Sequence, residues 1–242
     1  MTKLPELHEI AKTIDHALLK PQLTLDEVKE GLLLAKEYDV YAVCVRPSDV
    51  SFASEILEDS DVKVITVVGF PHGSVPTSIK CAEVFQAAKD GAKEIDMVIN
   101  IGWLKSDLDD QVREDIIEVV ESAKAAGIES TKVILETAYL TEEEIVRACL
   151  IAEEAGINFV KTSTGFGGAG ATIPNLQTMR KTVSSSIEVK ASGGVTDLDT
   201  LLSMRELGVT RFGTSATAVI LNDLRSRLQT GNTSGERYGD TY

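Results

Sequence analysis

Two lysines lie inside segments whose other residues predict buried β-strands. Lys161 is in the segment 158–164, and Lys190 is in the segment 187–192. Lysine is rarely buried without a partner. An ordinary lysine, with a pKa of about 10.4, is almost entirely protonated at pH 7, but desolvation and a nearby positive charge lower that pKa. A lysine tuned in this way attacks a carbonyl carbon to form a Schiff base.

An acid lies in a third run of this kind. Asp96 is in the segment 94–99, where a strand covered on both faces should be continuously apolar. Beside a reacting amine, a carboxylate relays protons directly or through one water molecule. The alternative is structural: Lys161 and Lys190 pair inside the protein with Glu136, Glu188 or Asp96, and none of these groups is catalytic. Spacing alone leaves both interpretations open.

Short β-branched runs alternate with helical segments along the whole chain. Helix-length connections favour parallel strands joined by right-handed crossovers, so we predict a single-domain (β/α)₈ barrel, with an open doubly wound sheet as the alternative. The barrel is expected over 1–229, and the Gly-, Ser- and Thr-rich segment 230–242 is expected to be a flexible tail. The predicted strands are 13–18, 41–45, 63–68, 94–99, 132–136, 159–163, 187–192 and 210–213.

Helix boundaries support this division. Two Thr–Glu pairs, Thr24 with Glu27 and Thr141 with Glu144, have the spacing of a capping box. Ser106 and Thr196 are also expected to be N-caps. Glycines that close the helical patterns supply left-handed residues after the helix ends, at Gly91, Gly127, Gly156 and Gly208.

The two lysines are 29 residues apart, which is one strand–helix unit. They are therefore expected on neighbouring strands, near the carboxyl ends where barrel enzymes carry out their chemistry. Two ammonium groups would then lie close together, and each would make protonation of the other less favourable.

Glycines follow the seventh and eighth predicted strands. Gly193 and Gly194 come directly after one strand, and Gly213 with Thr214 or Ser215 ends the other. In barrel enzymes these loops often bind a phosphate through backbone N–H groups and a helix N-terminus. Such glycines also occur in turns of purely structural importance.

The segment 165–170, Gly-Phe-Gly-Gly-Ala-Gly, matches the dinucleotide-binding pattern G-x-G-x-x-G. Its context argues against a nicotinamide cofactor. Pro174 indicates that the helix starts after the glycines, and the next strand ends in lysine and serine where a ribose-binding acid is required. We therefore expect no cofactor and interpret the segment as a flexible loop over the site.

The composition excludes several classes of protein. The 242 residues include 38 acidic and 24 basic side chains, giving a net charge of −14 that argues against nucleic-acid binding. The absence of a long apolar run predicts no membrane span and a cytoplasmic location. Three cysteines and three unpaired histidines predict neither a disulfide framework nor a metal site.

Taken together, these motifs closely resemble the deoxyribose-phosphate aldolase family over about residues 10–220. The segments that carry the resemblance are 14–21 (IDHALLKP), 43–45 (VCV), 94–99 (EIDMVI), 160–165 (VKTSTG), 189–194 (VKASGG) and 211–215 (RFGTS).

The resemblance implies a metal-independent class I aldolase that cleaves 2-deoxy-D-ribose 5-phosphate to D-glyceraldehyde 3-phosphate and acetaldehyde. It implies Lys161 as the Schiff-base lysine, Lys190 as the cation that lowers its pKa, and Asp96 as proton donor or acceptor. The residues implied to bind phosphate are Gly165, Gly193, Gly194, Gly213 and Ser215. Those implied to line the pocket are Asp15, Cys44 and Thr164.

Two positions depart from the family pattern or extend it. Phe166 stands where some members have a basic residue, and Tyr242 matches a terminal tyrosine that enters the site in parts of the family. Two other functions remain open. One is a phosphosugar isomerase or epimerase with Asp96 as base and Lys190 as electrophile, and the other is a non-catalytic phosphosugar-binding barrel. A homo-oligomer, specifically a dimer, is expected from barrel size.

Overall fold

The computed structural model describes residues 4–231, in which eight parallel strands form a closed barrel. Each strand pairs with the next in sequence, and β8 pairs with β1. This confirms the predicted (β/α)₈ fold and rules out the open sheet. The strands are β1 (Ile14–Leu18), β2 (Ala42–Val45), β3 (Lys63–Val68), β4 (Glu94–Val98), β5 (Ser130–Ile134), β6 (Phe159–Lys161), β7 (Glu188–Ser192) and β8 (Arg211–Thr214).

Helices cover the outside of the barrel. They are α1 (Leu7–Ala11), α2 (Leu25–Glu37), α3 (Val50–Ile56), α4 (Thr77–Lys89), α5 (Ile101–Lys105), α6 (Asp109–Ala125), α7 (Glu142–Glu154), α8 (Ile173–Thr182), α9 (Leu198–Glu206) and α10 (Thr217–Thr230). Helix α10 contains the first residue of the predicted tail, and the rest of that segment beyond Gly231, including Tyr242, lies outside the described residues. None of the helices formed by residues 4–231 is long and apolar enough to cross a membrane.

Three strands end earlier than predicted, β4 by one residue and β5 and β6 by two each, and the ends of β5 and β6 matter for the site. Strand β5 stops at Ile134 because Glu136 has a left-handed backbone, with φ of 55°, which cannot continue a strand. Strand β6 stops at Lys161, although the N–H of Thr162 still donates to the carbonyl of Lys190. The segments after β5 and β6 therefore leave the barrel wall close to Lys161.

The capping boxes at Thr24 and Thr141 are both confirmed. The two other predicted N-caps are wrong. Asp197 caps α9 by accepting the N–H of Thr200, while Ser106 ends the short helix α5. Thr196 and Asp197 are both suitable N-caps, and the sequence pattern does not distinguish which of them begins α9. Helix α6 instead starts after Leu108, which supplies no side-chain cap. The glycines that follow the helices have the predicted left-handed backbones, at Gly91, Gly127, Gly156 and Gly208.

The interior of the barrel has an apolar side and a charged side. Outward side chains of the strands, such as Ile95, Val160 and Val189, join the core beneath the helices. Strands β2 and β3 form a separate apolar cluster from Ala42, Cys44, Ile65 and Val67. The remaining strands bring buried ionisable side chains together, at Asp15, Glu94, Asp96, Lys132, Lys161, Lys190 and Arg211.

Candidate active site

Lys161 and Lys190 occupy paired positions on β6 and β7. The two residues are only 3% and 1% exposed, respectively. The Nζ atom of Lys161 donates to Oδ2 of Asp96 at 2.7 Å, and that of Lys190 donates to the same oxygen at 2.8 Å. The structure thus brings together the three residues that the sequence singled out, and it places one carboxylate between two amines.

A second carboxylate contacts only one of these lysines. Asp15 on β1 accepts a short hydrogen bond from Lys190 and another, at 3.1 Å, from Nη1 of Arg211. Burial raises the pKa of Asp15, but the positive charges of Lys190, Arg211 and Lys132 outweigh this effect and hold the pKa below its ordinary value. Asp15 is therefore a carboxylate anion at neutral pH.

Beneath Asp96 lies a third lysine that the sequence analysis missed. Lys132 on β5 is fully buried, and its Nζ lies 3.2 Å from Oδ1 of Asp96 and 2.5 Å from Oε2 of Glu94. Burial raises the pKa of Asp96, yet Lys132, Lys161 and Lys190 together hold it well below its ordinary value. The signal was available in part, because Glu94 and Asp96 are two residues apart on one strand and must face the same side.

Another missed residue is Arg211, which joins the same network of buried charged side chains through Asp15 and Glu94. Its guanidinium carbon lies 3.4 Å from the centre of the Tyr41 ring, and its Nη1 lies 3.7 Å from Oε2 of Glu94. The hydroxyl of Tyr41 donates to Oε1 of Glu94 at 2.6 Å. Arginine and tyrosine thus fix the carboxylate that holds Lys132.

The network carries one more positive charge than negative when every group is ionised. Among the residues described, four buried cations (Lys132, Lys161, Lys190 and Arg211) face three buried carboxylates (Asp15, Glu94 and Asp96). Burial lowers the pKa of Lys190, but Asp15 and Asp96 outweigh it and raise the pKa above its ordinary value. Lys190 is therefore protonated at neutral pH. Within residues 4–231, Lys161 contacts no carboxylate other than the shared Asp96.

A cavity of about 510 Å³ opens over the lysines at the carboxyl ends of the strands. Lys161 and Lys190 line it, whereas Asp96 lies fully buried behind them. The lining also includes every other site residue that the sequence analysis named, namely Asp15, Cys44, Thr164, Gly165, Gly193, Gly194, Gly213 and Ser215.

Free backbone donors border one side of this cavity. Gly194 has a left-handed backbone, with φ of 80°, and a side chain there would meet no atom within 4 Å. Across residues 4–231, the N–H groups of Gly194 and Ser215 donate to no protein acceptor. Helix α10 begins two residues after Ser215 with Ala216 as its N-cap, which supplies no side-chain acceptor. The positive amino end of α10 is therefore available to bind an anion in the cavity.

The two other glycines that follow or end β7 and β8, Gly193 and Gly213, have packing functions. A Cβ atom at Gly213 would lie 3.0 Å from Cβ of Ser192 and 3.5 Å from Cε of Lys190, so Gly213 makes room for the Lys190 side chain. A Cβ atom at Gly193 would lie 2.8 Å from Cα of Gly170. Gly193 thus allows the loops after β6 and β7 to touch, backbone against backbone.

The loop after β6 is held at several points. Helix α8 starts at Ile173, with Thr172 as its N-cap, so the glycine run lies outside the helix, as expected from Pro174. The N–H of Ala171 donates to the carbonyls of Ser192 and Gly193. The Phe166 ring packs edge-on against the ring of Phe70, with centres 5.3 Å apart. Phe166 thereby forms part of the cavity wall.

Hydrogen bonding and burial limit the reactivity of two residues that line the cavity, Thr164 and Cys44. Thr164 lines the cavity, but its N–H and its hydroxyl both donate to Glu136. Burial raises the pKa of the Cys44 thiol to about 11, so this group is neutral at physiological pH. In the described part of the chain, no three His, Cys, Asp or Glu side chains are grouped so that they could hold a metal ion.

These features define a (β/α)₈ barrel whose site is a cavity at the carboxyl ends of the strands, lined by two buried lysine amines. Comparison with known proteins agrees. A model of the DeoC/LacD family of aldolases matches residues 9–216, and the chain belongs to this family. The resemblance found in the sequence is thereby confirmed.

Individual relatives support the same conclusion. The chain is 47% identical to a deoxyribose-phosphate aldolase of Caldanaerobacter subterraneus subsp. tengcongensis, covering 94% of this chain and 98% of the relative. A solved structure of QR15, an aldolase, has a TM-score of 0.86 at 42% identity, covering 91% of this chain and 98% of the other. A tetrameric deoxyribose phosphate aldolase from Aeropyrum pernix has a TM-score of 0.85 at 27% identity, with coverages of 92% and 94%.

Proposed function

We propose that this chain is a class I aldolase that reversibly cleaves 2-deoxy-D-ribose 5-phosphate to D-glyceraldehyde 3-phosphate and acetaldehyde. The observation that carries the proposal is the shared contact of Lys161 and Lys190 with Oδ2 of Asp96, on the floor of an open cavity. Family membership and relatives that cover nearly the whole chain support the same substrate class.

In the proposed reaction, the Lys161 amine attacks the aldehyde carbon C1 of the open-chain sugar. The resulting carbinolamine loses water to give a protonated imine, which draws electrons from the C2–C3 bond. The C3 hydroxyl loses its proton as that bond breaks, which releases D-glyceraldehyde 3-phosphate and leaves an enamine. Protonation of the enamine at C2 and hydrolysis of the imine by water release acetaldehyde and restore the amine.

The neighbours of Lys161 have separate functions in this scheme. Asp96 accepts and returns protons at the carbinolamine and enamine steps, supported by its 2.7 Å contact with the amine. Lys190 remains protonated because Asp15 and Asp96 face it, so its charge disfavours a second positive charge on Lys161. Lys132 keeps Asp96 ionised and in place.

The free N–H groups of Gly194 and Ser215, together with the amino end of α10, support a phosphate position on one side of the cavity. An anion bound there would offset the excess positive charge of the network. Gly165 adds a third lining N–H on the neighbouring loop.

Reductive trapping tests the proposal. The wild-type protein is incubated with acetaldehyde and borohydride, digested and mapped by mass spectrometry. We expect an ethyl adduct on Lys161, no adduct on Lys132 or Lys190, and none at this peptide in Lys161→Ala. A surface variant, Lys105→Ala, controls for nonspecific modification and should label as the wild type does. Absence of an adduct on Lys161 would overturn the assignment.

The same experiment separates the alternatives. A phosphosugar isomerase or epimerase with Asp96 as base would exchange a substrate proton with solvent and give no trapped imine. A phosphosugar-binding barrel would bind the sugar without turnover or adduct. Neither alternative explains why Lys161 lines the cavity with the shared Asp96 as its one carboxylate partner among the residues described.

Assembly and location are further expectations for this chain. A homo-oligomer is proposed, and light scattering at several protein concentrations will distinguish the dimer expected from the sequence from a tetramer like that of the Aeropyrum pernix enzyme. The cytoplasmic location stays a prediction of the sequence.

A further inference from the structure

Glu136 is a buried acid outside the lysine network. It follows β5, is only 1% exposed and has the left-handed backbone with φ of 55°. Within residues 4–231 no cationic side chain lies in salt-bridge distance of it. A buried carboxylate without a cation is unfavourable unless hydrogen-bond donors surround it. An unusual backbone together with such a carboxylate indicates that a local requirement fixes this residue.

The donors come from one loop, the segment after β6. The N–H of Thr164 donates to Oε1 and Oε2 of Glu136 at 3.3 and 3.2 Å, and the Thr164 hydroxyl makes a short hydrogen bond to Oε2. The Thr164 Oγ1 atom in turn accepts the N–H of Phe166 at 3.0 Å. A Cβ atom at Gly167 would lie 2.7 Å from Cδ of Glu136, so the loop also packs directly on the carboxyl group.

These contacts leave the N–H of Gly165 free to face a ligand. Gly165 lies between Thr164 and Phe166, lines the cavity and donates its N–H to no acceptor in the described part of the chain. Its backbone is left-handed, with φ of 89°, and its position depends on its two neighbours, which are held directly or indirectly by Glu136.

We infer that Glu136 is a positioning residue that fixes the loop 164–167, so that the Gly165 N–H and the Phe166 ring contact the part of the substrate remote from the reacting carbonyl. This inference rests on the proposed function and deepens it. Lys161 does not depend on this loop, because it lies in β6 and its carbonyl accepts the N–H of Leu135 at 2.9 Å. Glu136 therefore governs binding of the long phosphorylated substrate and leaves the amine chemistry unaffected.

The test compares two substrates that differ in length. In Glu136→Ala we expect KM for 2-deoxy-D-ribose 5-phosphate to rise about tenfold, the effect of losing one hydrogen bond to a charged group. Trapping of acetaldehyde on Lys161 should keep the wild-type rate within about twofold, because two carbons do not reach the loop. Glu136→Gln keeps an acceptor for the Thr164 N–H, so its KM should rise less than that of the alanine variant.

Glu153 offers a matched control. Its two carboxylate oxygens accept the N–H of Ser184 at 3.3 and 3.2 Å, the same arrangement, but in the loop before β7 at the opposite end of the barrel. Glu153→Ala should leave both KM and trapping unchanged. Amide hydrogen exchange provides a second measurement that needs no chemistry. Thr164 and Phe166 should exchange faster in Glu136→Ala than in the wild type, and Ser184 should not.

Two results would overturn the inference: an unchanged KM with unchanged exchange at Thr164, or equal losses in cleavage and in acetaldehyde trapping. Failure of the wild-type protein to trap acetaldehyde would instead contradict the proposed function, while the exchange comparison would still decide whether Glu136 restrains the loop. Should the alanine variant not fold, Glu136→Gln supplies the same comparison with the shape of the side chain preserved.

Discussion

The Nζ atoms of Lys161 and Lys190 contact the same oxygen atom, Oδ2 of Asp96, from adjacent strands of the barrel. Because both nitrogens lie within 2.8 Å of one oxygen atom, they are also close to each other. Asp15 gives Lys190 a carboxylate that Lys161 does not contact. The pair is therefore unequal: Asp15 and Asp96 hold Lys190 protonated, whereas Lys161 contacts only the shared Asp96 among the carboxylates of residues 4–231.

Replacement of Lys190 should alter the pH dependence of cleavage. In Lys190→Leu the cation beside the reacting amine is lost, so protonation of that amine becomes easier. We expect kcat to fall by roughly 100-fold and the acid limb of the pH–rate profile to move to higher pH. The measurement is kcat for 2-deoxy-D-ribose 5-phosphate from about pH 5 to about pH 9, around the range in which folded proteins are generally most stable. An unmoved acid limb would contradict the charge effect.

Asp96→Asn should affect both stability and activity. The change removes the anion that three buried lysines share, and leaving buried charges unpaired costs about 3–5 kcal/mol of the free energy of unfolding. Activity should also fall by at least about 100-fold. Asp115→Asn is the matched control, because Asp115 pairs with the buried Lys80 away from the site. It should lose similar stability in urea titrations yet keep the activity of the folded fraction.

Acid conditions should remove the stabilisation that Asp15 provides. Lys190, Arg211 and Lys132 hold its pKa below the ordinary value despite burial, so the carboxylate stabilises the folded state above about pH 4. This contribution is lost as the pH falls through the lowered pKa of the folded state. The wild type should exceed Asp15→Asn in melting temperature by a constant amount above about pH 5, and the difference should shrink toward about pH 2. A difference independent of pH would be inconsistent with this linkage.

The three cysteines should react at different rates with iodoacetamide. Burial raises the pKa of Cys44 to about 11 and that of Cys149 to about 12, so both are neutral thiols with little access to the reagent. Cys81 is partly exposed on α4 and should be labelled first near pH 8, as followed by peptide mass spectrometry. Protein unfolded in urea should lose this order. Preferential labelling of Cys44 in the folded protein would show that its thiol is activated.

Chelation should leave cleavage unaffected. The Lys161 amine is expected to activate the carbonyl covalently, so no metal ion is needed to polarise it. Dialysis against EDTA should not change kcat or KM for 2-deoxy-D-ribose 5-phosphate. A lasting loss of activity that zinc restores would identify a metal-dependent enzyme instead.

The sequence predicted the barrel and the position of the lysines because both depend on local regularities. Consecutive strands of a parallel barrel are neighbours, so a separation of 29 residues is sufficient to place Lys161 beside Lys190. The sequence does not select which carboxylate pairs with these lysines. Glu188 proved to be exposed, where it accepts a hydrogen bond from Thr210, and Glu136 binds a loop, which leaves Asp96 for both lysines.

Other parts of the site depend on contacts that no local pattern encodes. Arg211 reaches Glu94 from β8, four strands further along the chain, and only the closed barrel brings these two side chains together. The loop after β6 is another example. Its glycines suggested freedom of movement, whereas its position follows from Glu136 and from the close approach of another loop, both distant in sequence.

The contact between Gly170 and Gly193 limits how this enzyme can diverge. A side chain at Gly170 would have to pass within 2.2 Å of the Gly193 carbonyl oxygen, so neither position can acquire a side chain unless the facing backbone withdraws. Mutations that change substrate preference are therefore more readily accommodated elsewhere around the rim. Descendants of this enzyme should therefore retain both glycines while other rim positions vary.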